Sequence, residues 1–215
     1  MSKHKNSQSH ETPLRIGLYA GAFDPVHSGH VAFALQALEA GNLDEVVFMP
    51  ERRPRGKPGV EHYAHRVVML KKALRPHPRL AVMETVDRHY TVARTLPQLR
   101  QLYRGARLVF LLGSDAVLSL PNWPHAGRLL RDCELIVGVR SEHQHEEVAA
   151  AIENWDIRPA GLRIVDSFAP DVSSERIRHA LRENIYTKGL LDSVSGYARQ
   201  EWLYVSPSSI TQSQS

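Results

Sequence analysis

Two histidines stand three positions apart within residues 21–30, Gly21-Ala22-Phe23-Asp24-Pro25-Val26-His27-Ser28-Gly29-His30, at the junction of two periodic patterns. The apolar run Ile16-Gly17-Leu18-Tyr19 before them reads as a buried strand, while Val31, Ala34, Leu35 and Leu38 after them repeat with helical spacing. The pattern predicts a strand, a glycine-containing turn, and a helix whose first turn carries the imidazoles. Residues at i and i+3 share a helix face, so His27 and His30 can point the same way. A helix N-terminus offers free N–H groups and partial positive charge, which favour phosphate. Two imidazoles beside such a terminus could hold and neutralise a phosphate chain, and the chemistry this supports is nucleotidyl transfer.

Apolar runs that alternate with helical patterns supply the frame. After the first strand come Glu45–Pro50, Leu80–Met83, Leu108–Leu112, Leu135–Val139 and Leu162–Val165 as strands. Between them His62–Leu74 and Val92–Tyr103 have helical spacing. Strands buried on both faces and separated by helices predict an α/β fold with a doubly wound, mainly parallel sheet. Two C-terminal helices follow, one from Ser173 or Ser174 to about Asn184 and one over roughly Leu190–Leu203. In such sheets ligands bind past the carboxyl ends of the strands, where the loop at 21–30 falls.

The chain of 215 residues, 42% apolar and 23% charged, suits one globular domain. Residues 14–204 form that domain, between polar tails at 1–13 and 205–215 that are expected to be disordered. No run approaches the roughly 18 apolar residues of a membrane span, and the start lacks the apolar core of a secretory signal. The single cysteine, Cys133, excludes an intrachain disulfide and reads as a packing residue. A cytoplasmic enzyme is expected. The net charge of +4 and pI near 9.3 could signal nucleic acid, but no dense basic run interleaves with aromatics. A phosphorylated small molecule is the expected partner; a homo-oligomer stays open.

The decapeptide resembles the Gly-x-Phe-Asp-Pro-x-His-x-Gly-His signature of the nucleotidylyltransferase superfamily. Over about residues 14–204 the chain resembles the bacterial nicotinate mononucleotide adenylyltransferase family within it. Leu112-Gly113-Ser114-Asp115 with Trp123, the strand ending in Arg140, and Arg66 with Met69-Leu70 are similar to blocks of that family. So are Tyr90-Thr91 with Thr95-Leu96, and Val172-Ser173-Ser174-Glu175-Arg176-Ile177-Arg178. Class I aminoacyl-tRNA synthetases share a related histidine loop, but they are much longer and carry a Lys-Met-Ser-Lys-Ser-type loop absent here.

The resemblance implies a Rossmann-like nucleotidylyltransferase fold and transfer of AMP from ATP to nicotinate mononucleotide. Backbone near Gly21, Ala22 and Phe23, with His27 and His30, would grip the ATP phosphates. Ser173, Ser174 and Arg178 would face the β- and γ-phosphates, and His27, His30 and Arg178 would be the catalytic residues. Gly113 and Asp115 would meet the adenosine, unless Asp115 merely caps a helix. Tyr90, Thr91, Trp123, Arg140, Arg66, Arg55 and Lys57 would bind the acceptor. Trp123 is otherwise a core residue, the 52–57 loop a solvated basic turn, and Arg66 a helix arginine reaching solvent. Mg²⁺ is expected to arrive with ATP, and no protein-only metal site is predicted. His30, read as a surface residue of the first turn, is expected to contribute little packing.

Three positions depart from the family pattern. Ala22 replaces a hydroxyl residue, Glu175 replaces a threonine, and Arg52–Gly59 stands where the family has a Pro-Pro-His-Lys-type loop. They leave two alternatives open. One is the same transfer to a different phosphorylated acceptor, such as nicotinamide mononucleotide. The other is a catalytically weak nucleotide-binding regulator.

Overall fold

The computed structural model describes residues 12–166 and 171–205, so most of both expected tails lies outside the described residues. Six strands, β1 (Arg15–Gly21), β2 (Glu45–Pro50), β3 (Leu80–Val82), β4 (Arg107–Gly113), β5 (Glu134–Val139) and β6 (Gly161–Asp166), make one sheet. Their spatial order is β3-β2-β1-β4-β5-β6 and each pairing is parallel. Helices α1 (Ser28–Ala40) and α2 (Tyr63–Leu74) cover one face together with α8 (Asp192–Gln200). The other face carries α3 (Val92–Leu102), α4 (Ser114–Ser119), α5 (Ala126–Asp132) and α6 (Glu142–Glu153). Helix α7 (Ser174–Arg182) precedes α8.

The period of two along each strand builds both cores. Val109 and Leu111 of β4 join Phe33, Leu38, Phe48 and Leu70 on one side. Leu108, Phe110 and Leu112 join Leu18, Leu96 and Leu135 on the other. Winding runs outward from β1 to β3, then returns to β4 on the opposite side of β1. The loops leaving β1 and β4 therefore part, and the cleft between them is where such sheets take ligands.

Two helices went unforeseen in the sequence. Helix α6 buries only Val148 and Ile152 beneath a polar surface, and α5 has seven residues directly after Pro124-His125. Neither has enough apolar repeats to register. The expectation that all strands are buried on both faces fails at β6. It is an edge strand, with Leu162 and Arg163 exposed. The last helix is shorter than its apolar spacing suggests, because the chain turns after Gln200 through Trp202 and Tyr204 at φ of +54° and +60°. Cys133 packs in the second core, where burial pushes its thiol up to about 12. No helix among the described residues is long and apolar enough to cross a membrane.

Candidate active site

Strand β1 ends at Gly21, and Phe23 then takes a left-handed φ of +50°. That conformation costs an aromatic residue about 1–3 kcal/mol, so packing must hold it. The Phe23 ring is 2% exposed and meets Tyr19, His30 and Phe48 at centroid distances of 5.2, 5.1 and 5.3 Å. His27 then caps α1. Its Nδ1 accepts from the His30 backbone N–H at 3.4 Å, while the His27 N–H donates to His30 Nδ1 at 3.2 Å. This is a capping box made of two histidines, with rings stacked at 3.7 Å. Because each Nδ1 accepts, each Nε2 carries the proton. The box thus fixes both tautomers and leaves two Nε2–H donors.

Electrostatics correct one expectation. Burial, reinforced by the Arg140 charge, lowers the His27 pKa to about 4. Burial, then His27, Arg140 and Lys57, holds His30 well below its ordinary value. The free protein therefore presents two neutral donors, and the positive charge beside them is that of Arg140, Arg178 and Lys57. His30 is also no idle surface residue, since it caps His27 and packs on Phe23.

A cleft of about 720 Å³ opens over this loop, and Gly21, Ala22, Phe23, His27 and His30 form one wall of it. Asp115, Arg140, Ser173, Ser174 and Arg178 form another. Ser173 caps α7 by accepting from the Arg176 N–H at 3.3 Å, and Ser174 Oγ donates to the Pro25 carbonyl at 3.0 Å. The starts of α1 and α7 are thereby tied together, and both point positive ends at one volume. Arg178 Nη1 donates to the Asp24 carbonyl at 2.6 Å. Asp115 is not a cap, since Gly113 holds the N-cap position of α4. Gly113 lines a smaller recess with Tyr19, His27 and Arg140, and the space a Cβ would enter is open. Glu175 lines the cleft too, and Arg176 does not pair with it but donates to the Asp171 carbonyl at 3.0 Å.

A second pocket, about 220 Å³, lies at the start of α3. Tyr90, Thr91 and Trp123 line it with Arg55, Arg94 and His125. The Tyr90 ring lies 5.4 Å from Phe110 and 6.3 Å from Trp123, and Trp123 Nε1–H donates to Ser119 Oγ at 3.2 Å. Thr91, the N-cap of α3, makes no side-chain cap bond, and Val92, Ala93 and Arg94 of the first turn face the pocket.

The residues expected to bind the acceptor are thus divided. Tyr90, Thr91, Trp123 and Arg55 come together in the aromatic pocket, whereas Arg140 and Lys57 stand in the histidine cleft. Arg66 joins neither, nor does it reach solvent. It is 0% exposed and donates to the carbonyls of Ala22, Glu51, Arg52 and Glu61 at 2.6, 2.8, 3.2 and 2.9 Å. Its guanidinium is spent on holding the 21–23 turn against the 51–61 loop. The apolar neighbours Val67, Met69 and Leu70 were the signal that Arg66 lies on a buried face. Asp24, Arg94 and His125 were missed, because nothing in their local spacing shows what they approach.

Residues 18–180 match the profile of the cytidylyltransferase-like family. The chain belongs to that family. It is 33% identical over 199 residues to the nicotinate-nucleotide adenylyltransferase of Bacillus subtilis (strain 168), covering 89% of this chain and 99% of that one. The nicotinic acid mononucleotide adenylyltransferase of Plasmodium falciparum, solved in complex with NaAD, has the same fold. It superposes with a TM-score of 0.74 at 17% identity, covering 89% of this chain and 97% of that chain. The expectations of a doubly wound parallel sheet and of membership in the nucleotidylyltransferase superfamily both hold.

Proposed function

We propose that this cytidylyltransferase-like enzyme transfers AMP from ATP to nicotinate mononucleotide, forming deamido-NAD and pyrophosphate in the cytoplasm. One observation carries the reading. A cleft framed by two helix N-termini and two fixed imidazole donors and an aromatic pocket of about 220 Å³ are lined by consecutive residues of one loop, Arg55 in the pocket and Gly56 to Val60 in the cleft. The triphosphate lies in the cleft, held by His27, His30, Arg140, Arg178 and the starts of α1 and α7. The pyridine ring stacks on Trp123, and its carboxylate meets the first turn of α3, where an anion is favoured. Arg55 takes the acceptor phosphate as a charged fork.

An acceptor phosphate oxygen attacks the α-phosphorus in line. The new P–O bond forms as the bond to the bridging oxygen of the β-phosphate breaks, and pyrophosphate leaves with that electron pair. No covalent enzyme intermediate is needed, so the protein's work is positioning and charge stabilisation. Among the described residues no three His, Cys, Asp or Glu side chains converge to hold a metal. Mg²⁺ would enter on the triphosphate and neutralise part of its charge, with ligands drawn from phosphate oxygens and water.

Pyrophosphate release with ATP and Mg²⁺ tests the reading. Nicotinate mononucleotide should exceed nicotinamide mononucleotide by about ten- to a hundredfold in kcat/KM, the value of a charge-assisted hydrogen bond to the carboxylate. Preference for the amide would overturn the acceptor assignment, and silence with both would overturn the reaction.

A further inference from the structure

The end of the described chain reaches back to the histidine loop. Tyr204 lies 180 positions from Asp24, yet its hydroxyl donates to Asp24 Oδ1 at 2.6 Å. The same Oδ1 accepts from the Glu61 N–H at 3.2 Å, and the Asp24 residue is 3% exposed. Its other oxygen, Oδ2, stands 3.8 Å from Arg178 Nη1, which is the atom that donates to the Asp24 carbonyl at 2.6 Å. Arg178 is therefore aimed by a residue whose carboxylate is itself held from the far end of the chain.

We propose that Tyr204 is a positioning residue for nucleotidyl transfer, acting through Asp24 to hold the Arg178 guanidinium where it meets the triphosphate. The inference rests on the functional reading above. Its physical basis is competition for Arg178. A carboxylate with both oxygens free takes an arginine as a bidentate pair, which would draw the guanidinium out of the cleft. Tyr204 and the Glu61 amide occupy Oδ1, so the ion pair stays long and one-sided. Arg178 keeps one anchor on the Asp24 carbonyl and leaves its remaining donors to phosphate oxygens. Pre-setting a long side chain also removes the cost of ordering it when the anion arrives. Tyr204 is suited to the task. Its ring packs against the first core and its backbone holds φ +60°, so the hydroxyl has little freedom to leave Asp24.

The test is a double-mutant cycle on the full chain, read by calorimetric binding of inorganic triphosphate and by steady-state kinetics. Tyr204→Phe keeps the ring and removes only the donor. It should weaken triphosphate binding and lower kcat about tenfold, the scale of one hydrogen bond to a charged group, while KM for the acceptor stays constant. In an Arg178→Ala background the same change should have no further effect on triphosphate binding. An equal loss in both backgrounds, or no loss in either, would overturn the proposal. Should Tyr204→Phe fail a thermal-melting check, Asp24→Asn against Arg178→Ala tests the same link from the other side. Triphosphate binding needs no acceptor. A wild-type enzyme that binds it but turns over neither mononucleotide would sink the functional reading and still leave this one decidable.

Discussion

The histidine cleft and the aromatic pocket lie along the same edge of one sheet, and they are assembled in opposite ways. In the cleft several side chains are already engaged with backbone before a ligand enters. His27 and His30 cap each other, Ser173 caps α7, Ser174 holds Pro25, and Arg178 holds Asp24. The pocket relies on ring faces and an uncapped helix start, with Trp123 fixed by one hydrogen bond to Ser119. On the proposed function the cleft receives a multiply charged chain, which rewards donors that need no reorganisation when charge develops, and wiring to the backbone supplies them. On the same proposal the pocket receives a flat ring, which needs shape and an apolar surface, and loop segments far apart in sequence can supply both.

His30→Ala should break this comparison most severely. Losing one preset donor lowers kcat/KM about 10²- to 10³-fold, and losing half of the capping box costs about 1 kcal/mol of stability. Steady-state rates and a thermal melt measure both, and retained turnover would refute the role of the cleft. Next in size, Trp123→Ala removes a stacking platform worth about 1–3 kcal/mol. The acceptor KM should rise about ten- to a hundredfold with the ATP KM unchanged.

Arg55→Ala and Lys57→Ala form a finer pair, two positions apart on one loop but facing different volumes. Each should raise one KM by about tenfold, Arg55 for the acceptor and Lys57 for ATP. Identical effects on both substrates would erase the boundary between the two sites.

Stability should also depend on pH. His27 titrates near 4 in the folded chain against an ordinary 6.5, and His30 is shifted the same way. Between those values the unfolded chain binds more protons, so stability rises with pH across that window and levels above it. Urea midpoints taken from about pH 4.5 to about pH 7 should show the slope. His27→Asn, which preserves a capping oxygen, should flatten it.

Six strands and most helices were legible because buried strands and amphipathic helices leave periods of 2 and 3.6 in the sequence. Helices α5 and α6 were not, since α5 packs against α3 and α6 against α4 and β5 through a few side chains rather than through an apolar stripe. Arg66 shows the same limit within the site. Its spacing resembles that of a ligand residue, yet burial turns its guanidinium on four carbonyls from two loops.

By itself the sequence determined the parallel sheet, the strand–turn–helix that carries His27 and His30, and the blocks around Asp115, Trp123 and Arg178. These are local patterns, and each is written in residues close together along the chain. Only the tertiary structure decided that the imidazoles are neutral, that Arg55 and Lys57 serve different volumes, and that Tyr204 reaches Asp24. Protonation depends on burial, and the other two depend on which distant segments the sheet brings together. Neither leaves a trace in local spacing.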